Sequence, residues 1–317
     1  MAPKFLPEGL LEKTAANREA LATVAGLERA MREGTVLEAP VLLCDNRMRL
    51  HLDLGSMRGV MEREEAAWCR PGEPLKDIAV ITRVGKTVAF RVIGFATENG
   101  ERVAVLSRRD VQKDCVAEFL SALSPGDIIP ARITHLESYG AFVDIGCGVS
   151  ALLSIDCISV SRITHPRDRL RVGEMISVAI KSIDRTLSRI FVTLKELLGT
   201  WAENAACFRA GETVVGRVRS IESYGIFVEL APNLAGLAEL RGNTGQPLRC
   251  AVGDAAAVFI KSILPDRMKV KLVMIDSAPT DEPPVPLKYY IDPTVVTHID
   301  YWEYSPTCAT RLIETVF

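Results

Sequence analysis

The pattern of hydrophobic and polar positions along this chain repeats. Residues 136–145 run LESYGAFVDI, and 85 positions later residues 221–230 run IESYGIFVEL, with ESYG and FV unchanged. Downstream, VAIKSID at 178–184 is answered by VFIKSIL at 258–264. Each of these is followed by a turn and one more alternating segment, RIFVTLK at 189–195 and MKVKLVM at 268–274. A divergent third copy lies upstream. There LHLDLGSMRGVM at 50–61 aligns through its Asp-apolar-Gly turn, followed by VAFRVIG at 88–94 and RVAVLSRR at 102–109. Self-similarity of this kind marks one structural unit used several times.

Within each unit the segments are short, alternate with a period of two and are separated by Gly, Asp or Ser. This predicts strands of a sandwich or barrel. A closed five-stranded barrel also removes exposed sheet edges. In GAFVDI, period two places Val143 and Ile145 on the interior face and Phe142 and Asp144 on the outer one. Phe227 occupies the matching outward position between Ile226 and Val228. Residues 10–33 predict one helix or two short ones, with Thr14 as N-cap and Gly34 as the stop. Residues 111–124 and 196–210 predict helical linkers, and SAPTDEPPVP at 277–286 a proline-rich one. The expected organisation is a helical segment at 1–33, barrels at 34–110, 125–195 and 211–276, and a linker and C-terminal tail at 277–317. The tail holds Tyr289, Tyr290, Tyr301, Trp302 and Tyr304, and so many aromatics predict packing on a barrel or a partner rather than disorder.

Composition narrows the function. The net charge of -2 over 317 residues excludes a strongly basic nucleic-acid binder and leaves a locally basic one. By net charge the second unit is the most basic, whereas the tail from 277 carries a net charge of -4. That tail charge predicts competition with RNA for a basic face. The eight cysteines form no CxxC pair and the four histidines no HExxH, so neither a metal nor another cofactor is expected. Reduced cysteines serving as small core residues fit this spacing. No nucleophile–base, metal–carboxylate or phosphate-loop constellation appears, and the segments outside the repeats are too short for a catalytic domain; a non-enzyme is expected. No apolar run approaches the roughly 18 residues of a membrane helix, and the first residues lack a signal-like core, which predicts a cytoplasmic protein with no membrane partner.

The candidate chemistry is aromatic and cationic. Tyr139 with Phe142, and Tyr224 with Phe227, suit stacking on unpaired bases, whose π-faces a duplex hides. Arg162, Arg167, Arg169 and Arg171 are opposed locally only by Asp168. Lys181 and Lys261 recur on equivalent strands, with Arg91 as a first-unit counterpart. Structural alternatives stand beside each reading. The tyrosines suit turns packed on their own barrels, the phenylalanines suit contacts with a linker helix, and the cations suit a solvated face or a shielded strand.

The segments ITHLESYGAFVDIG (133–146), PRDRLRVGEMISVAIKSID (166–184), IFVTLKELLGTW (190–201), VGRVRSIESYGIFVEL (215–230) and NLAGLAEL (233–240) resemble the S1 RNA-binding domain, the repeat unit of bacterial small-subunit ribosomal protein S1. The overall plan resembles the short, three-repeat members. The resemblance implies a mainly β chain of three tandem OB-fold (S1-type) barrels. It also implies single-stranded RNA, mRNA included, as partner, association with the small ribosomal subunit, and action in translation. It assigns RNA contacts to Tyr139, Phe142, Tyr224 and Phe227. The histidine that usually follows the third strand is replaced by Ser154 and Glu239, and in the first unit Met48 and His51 replace both aromatics. RNA affinity is therefore expected to rank second barrel, third, first. The alternatives are a protein-interaction scaffold, or a factor of RNA metabolism or transcription coupling with weak RNA affinity.

Overall fold

The computed structural model describes residues 5–69, 72–184, 189–239, 250–280 and 286–317. Two helices open it. Thr14 accepts a hydrogen bond from the Asn17 amide and caps α1 (Ala15–Leu21), and Thr23 caps α2 (Val24–Glu33) through the Gly26 amide. The break between them is tight, since a Cβ on Gly26 would stand 2.5 Å from the Ala20 carbonyl oxygen. Gly34, at φ 63°, ends α2 in the left-handed region.

The first barrel comprises β1 (Leu37–Cys44), β2 (Leu50–Asp53), β3 (Arg58–Met61), β4 (Thr87–Glu98) and β5 (Glu101–Ser107), with α3 (Asp77–Ile81) between β3 and β4. Its strands close in the order β1-β2-β3-β5-β4. Leu37, Leu50, Leu52, Phe90 and Leu106 fill its centre. The predicted linker helix at 111–124 is short. It consists of α4 (Arg109–Asp114), one π turn (Cys115–Phe119) and one 3-10 turn (Leu120–Ala122).

The second barrel has β6 (Ile128–Glu137), β7 (Gly140–Asp144), β8 (Ser150–Ser154), β9 (Met175–Asp184) and β10 (Arg189–Thr193). After it, α5 (Trp201–Ala205) begins with a reciprocal capping box between Thr200 and Glu203. The third barrel has β11 (Thr213–Glu222), β12 (Gly225–Ala231), β13 (Leu234–Ala238), β14 (Ala255–Leu264) and β15 (Lys269–Ala278). Both close in the same order as the first barrel, so each third strand pairs in parallel with the fifth. The expectation of three tandem five-stranded barrels is met, and the strand order is that of an OB-type barrel.

By contact density the chain divides into two compact units. One contains residues up to Leu123 together with Pro130–Arg132 and Asp144–Ser150; the other contains the remainder. In the first unit a buried polar cluster surrounds Glu8. Its carboxylate accepts from Arg108 at 2.6 and 3.0 Å and from the Ala89 amide at 3.0 Å. Its own amide donates to Asp144 at 2.7 Å, and its carbonyl accepts from Arg132 at 2.6 Å. Asp144 therefore departs from the outward position that simple alternation predicts, and is only 2% exposed. It stands where β7 ends, and its other oxygen accepts from the amides of Gly146 and Gly148 in the following turn. Burial and the neighbouring Glu8 charge push its pKa up to about 7.

In the second unit Asn233 ties the β12–β13 turn to the β8–β9 connection and to the segment after β10. It accepts from the Val160 amide at 2.9 Å and donates to the carbonyls of Lys195 and Gly199 at 2.8 and 2.7 Å. The tail packs in this unit. Tyr289, Ile291, Val296, Ile299 and Phe317 lie on Ile128, Ala179 and Leu197. Trp302 and Tyr304 join the core of the third barrel, and a two-stranded hairpin, β16 (Tyr301–Glu303) with β17 (Glu314–Val316), closes the chain. Of the proline-rich stretch at 277–286, residues 281–285 lie outside the described residues.

Candidate nucleic-acid interface

The ESYG motif builds the same local geometry twice. The tyrosine sits in the turn between first and second strands, and the glycine opens the second strand. A Cβ on Gly140 would stand 2.5 Å from the Leu153 carbonyl oxygen, and one on Gly225 would stand 2.8 Å from that of Ala238. Only glycine allows the third strand to approach this closely. One strand position separates Gly from Phe, so the Phe ring returns to the outer face beside the tyrosine. Tyr139 and Phe142 meet edge to face, with centroids 6.2 Å apart and planes at 90°. Tyr224 and Phe227 meet at 6.2 Å and 89°. Both tyrosines are exposed, at 54% and 66%, and both phenylalanines are half-buried, so each pair is held in place yet open to solvent. Edge-to-face contact is a favoured aromatic arrangement, and it leaves ring faces free to stack.

The barrel order brings the fifth strand beside this face. In the third barrel Phe227 pairs with Leu237, and Leu237 with Lys271. In the second, Leu152 pairs with Phe191, and Arg189 stands exposed two positions earlier. Phe191 and Lys271 thus occupy matching places, and reasoning from local sequence named neither. Their neighbours come from a strand far away in the chain, and only the parallel pairing of third and fifth strands reveals them.

The predicted cations separate into groups. Arg162, Arg167 and Arg171 are exposed. Arg169 is not, and its assignment to an RNA contact is corrected. It is 6% exposed and grips Glu229 with two hydrogen bonds of 2.6 and 2.7 Å, while Arg219 holds the same carboxylate at 2.8 and 3.2 Å. Burial alone would raise the Glu229 pKa, but the two guanidiniums hold it below the ordinary carboxylate value. A cation committed to a buried, bidentate pair is unavailable to a phosphate.

Lys181 is exposed and lies 3.0 Å from the Cys157 sulfur, which raises its pKa and keeps it a cation. Lys261 lies 3.9 Å from Glu239 in an exposed, screened pair. Arg91 is occupied by the Gly34 carbonyl at 2.9 Å and by Asp114. In the first barrel His51 is 8% exposed and 3.0 Å from Asp45, so no stacking side chain stands there.

A cleft of about 870 Å³ runs beside Tyr224 and Phe227, with Lys269 and Lys271 among its lining residues. Among the described residues no cluster of His, Cys, Asp and Glu is arranged to hold a metal ion, and no helix is long and apolar enough to cross a membrane.

Comparison with known proteins adds family information to this geometry. Residues 123–195, the second barrel, match the S1 RNA binding domain. The chain is similar to small ribosomal subunit protein bS1 of Staphylococcus aureus (strain COL), with 30% identity over 213 residues, 62% of this chain and 52% of the relative. It is similar to bS1 of Staphylococcus haemolyticus (strain JCSC1435), with 32% identity over 164 residues, 49% of this chain and 40% of the relative. The chain thus spans about half the length, or less, of these curated relatives. A solved multidomain protein with nucleic acid binding domains from Streptococcus pneumoniae aligns over 76% of this chain and 73% of its own, at 13% identity and a TM-score of 0.24.

Proposed function

From the match of the second barrel to the S1 RNA binding domain, we propose that this chain is an S1-domain protein that holds single-stranded RNA, mRNA included, on the outer faces of its second and third barrels. In this reading it serves translation beside the small ribosomal subunit as a binding protein rather than an enzyme. The observation that carries the reading is the recurrence of one exposed edge-to-face pair, at 6.2 Å and near 90°, in two barrels. Exposed rings cost solvation, so two identical open pairs point to a ligand with flat, apolar faces. Unpaired bases have such faces, and each stacked base is worth about 1–3 kcal/mol with little sequence preference. Exposed Arg162, Arg167, Arg171, Lys181 and Lys261 suit the phosphates between bases.

Fluorescence anisotropy with a short labelled single-stranded RNA and a duplex of equal length tests the reading. The single strand should bind more tightly, and the double variant Phe142→Ala/Phe227→Ala should lose most of that binding while staying folded. Equal or tighter binding of the duplex would overturn stacking as the mechanism.

A further inference from the structure

The cleft beside Tyr224 and Phe227 is lined by more than barrel residues. The loop between β16 and β17, residues 304–313, supplies Tyr304, Thr310, Arg311 and Ile313 to it. This loop is fixed at several points. The Tyr304 hydroxyl donates to the Asn233 carbonyl at 2.6 Å, and the Thr310 amide donates to the Asp266 carbonyl at 3.0 Å. Inside the loop, the Tyr304 amide donates to the Ile313 carbonyl at 2.9 Å. The buried Ser305 hydroxyl donates to the Arg311 carbonyl and accepts from the Ile313 amide, both at 2.8 Å.

The charge of the tail is unevenly placed. The acids Asp292, Asp300, Glu303 and Glu314 all lie outside residues 304–313, and the loop's one charged residue is Arg311. The cleft itself is lined by Arg267, Lys269, Lys271 and Arg311 against the single acid Glu239. Arg311, Lys269 and Lys271 are exposed and carry no ion pair among the described residues. A net-acidic tail therefore presents a cation to the aromatic face, contrary to the competition that its overall charge of -4 predicts.

We propose that this C-terminal loop completes the RNA cleft of the third barrel. A single strand lies between barrel and loop, with a base against Tyr224 and Phe227 and its backbone phosphates received by Arg311 together with Lys269 and Lys271. The inference rests on the reading of the barrels as RNA-binding, and adds a binding element outside the barrel fold. The cleft volume of about 870 Å³ is near the upper end of the usual range for small-ligand sites, about 300–1,000 Å³, and leaves room for a nucleotide with its flanking phosphates.

The test uses the full chain and a fluorescein-labelled single-stranded oligouridylate containing 4-thiouridine, with anisotropy measured across a salt series. Arg311→Ala should weaken binding several-fold and lower the slope of log K against log salt by about 0.7, the contribution of one phosphate on a single strand. Arg311→Lys should keep the slope, and the melting temperature of both variants should match the parent. Photocrosslinks should map to the peptide containing residues 304–313. If Phe227→Ala weakens binding while Arg311→Ala leaves affinity and slope unchanged and no crosslink reaches the loop, the loop proposal fails and the RNA reading stands. If the full chain binds no single strand, both fail. Displacement by polyglutamate as effective as by unlabelled RNA would assign the cleft to acidic peptides and overturn the proposal.

Discussion

The second and third barrels carry the same aromatic pair in different surroundings. Around Tyr139 and Phe142 the fifth strand contributes Phe191 and Arg189; around Tyr224 and Phe227 it contributes Lys271 and Lys269. At the end of the third strand, Ser154 in one barrel stands where Glu239 does in the other. Lys181 leans on the Cys157 sulfur, whereas Lys261 faces a carboxylate. The pair geometry comes from a turn and a glycine, a local motif that survives any change on the fifth strand. The electrostatic setting comes from that distant strand and varies independently. One fold thus supports a face rich in stacking surface and another rich in charge. In the first barrel His51 is buried beside Asp45 and offers no ring face to solvent.

The sharpest way to break this comparison is through Arg169, which lies in the second barrel's arginine-rich segment but is paired with Glu229 of the third. Arg169→Ala leaves a buried carboxylate with one partner fewer and should cost about 3–5 kcal/mol of stability, read by calorimetry. Arg171→Ala, at an exposed site, should leave the melting temperature unchanged and affect only RNA affinity. The opposite pattern would return Arg169 to the RNA surface.

The barrels should also part on titration. Burial pushes Glu38 up to about 7, although its Oε2 accepts three backbone amides, whereas Glu229 is held below the ordinary value by its arginines. A raised folded-state pKa means that the contribution of Glu38 is complete below its unfolded value near 4.5 and lost as pH rises through about 7. That of Glu229 has the opposite sign, present above the unfolded value and lost as pH falls through the depressed one. Hydrogen exchange should show the first barrel better protected at pH 5 than at pH 8, and Glu38→Gln should flatten that difference. A first barrel more protected at pH 8 would contradict the assignment.

Phe142→Ala should reduce affinity for single-stranded RNA by about 1–3 kcal/mol and barely alter its salt slope. Tyr304→Phe removes one buried hydrogen bond, leaves the Asn233 carbonyl short of a donor, and should destabilise the third barrel by about 1 kcal/mol in a thermal melt. Lys271→Ala should have the smallest effect on affinity, yet lower the salt slope by about 0.7, while Phe191→Ala at the matching place should leave the slope unchanged. Equal slopes for the two variants would mean that the fifth strand does not set the character of each face.

The local features of the molecule were legible in its sequence. The repeat located the strands of the second and third barrels, period two turned Phe142 and Phe227 outward, and Thr14 and Gly34 bounded the first two helices. Features that depend on distant partners were not. Arg169 looks like a free cation until Glu229, 60 residues away, is beside it. Asp144 looks outward until the Glu8 amide and the 146–148 turn claim both its oxygens. Phe191 and Lys271 enter the candidate site only through the third-to-fifth strand pairing. The tail was legible as aromatic and acidic, but net charge averages over position and concealed the cation at its loop.

Glu8 joins parts of the chain that are made far apart during synthesis. Its carboxylate waits for Arg108, 100 residues later, and its amide for Asp144, 136 residues later. Synthesis runs from N- to C-terminus, so Glu8 is made before both groups, and its amide meets its partner later than its carboxylate does. While the second barrel is still being translated, the first lacks the clasp that Glu8 makes with Asp144 and Arg132. A nascent chain halted before β7 holds the Glu8 carboxylate through Arg108 and Ala89 but leaves its amide without Asp144, so proteolysis around Glu8 should slow further once that strand has emerged.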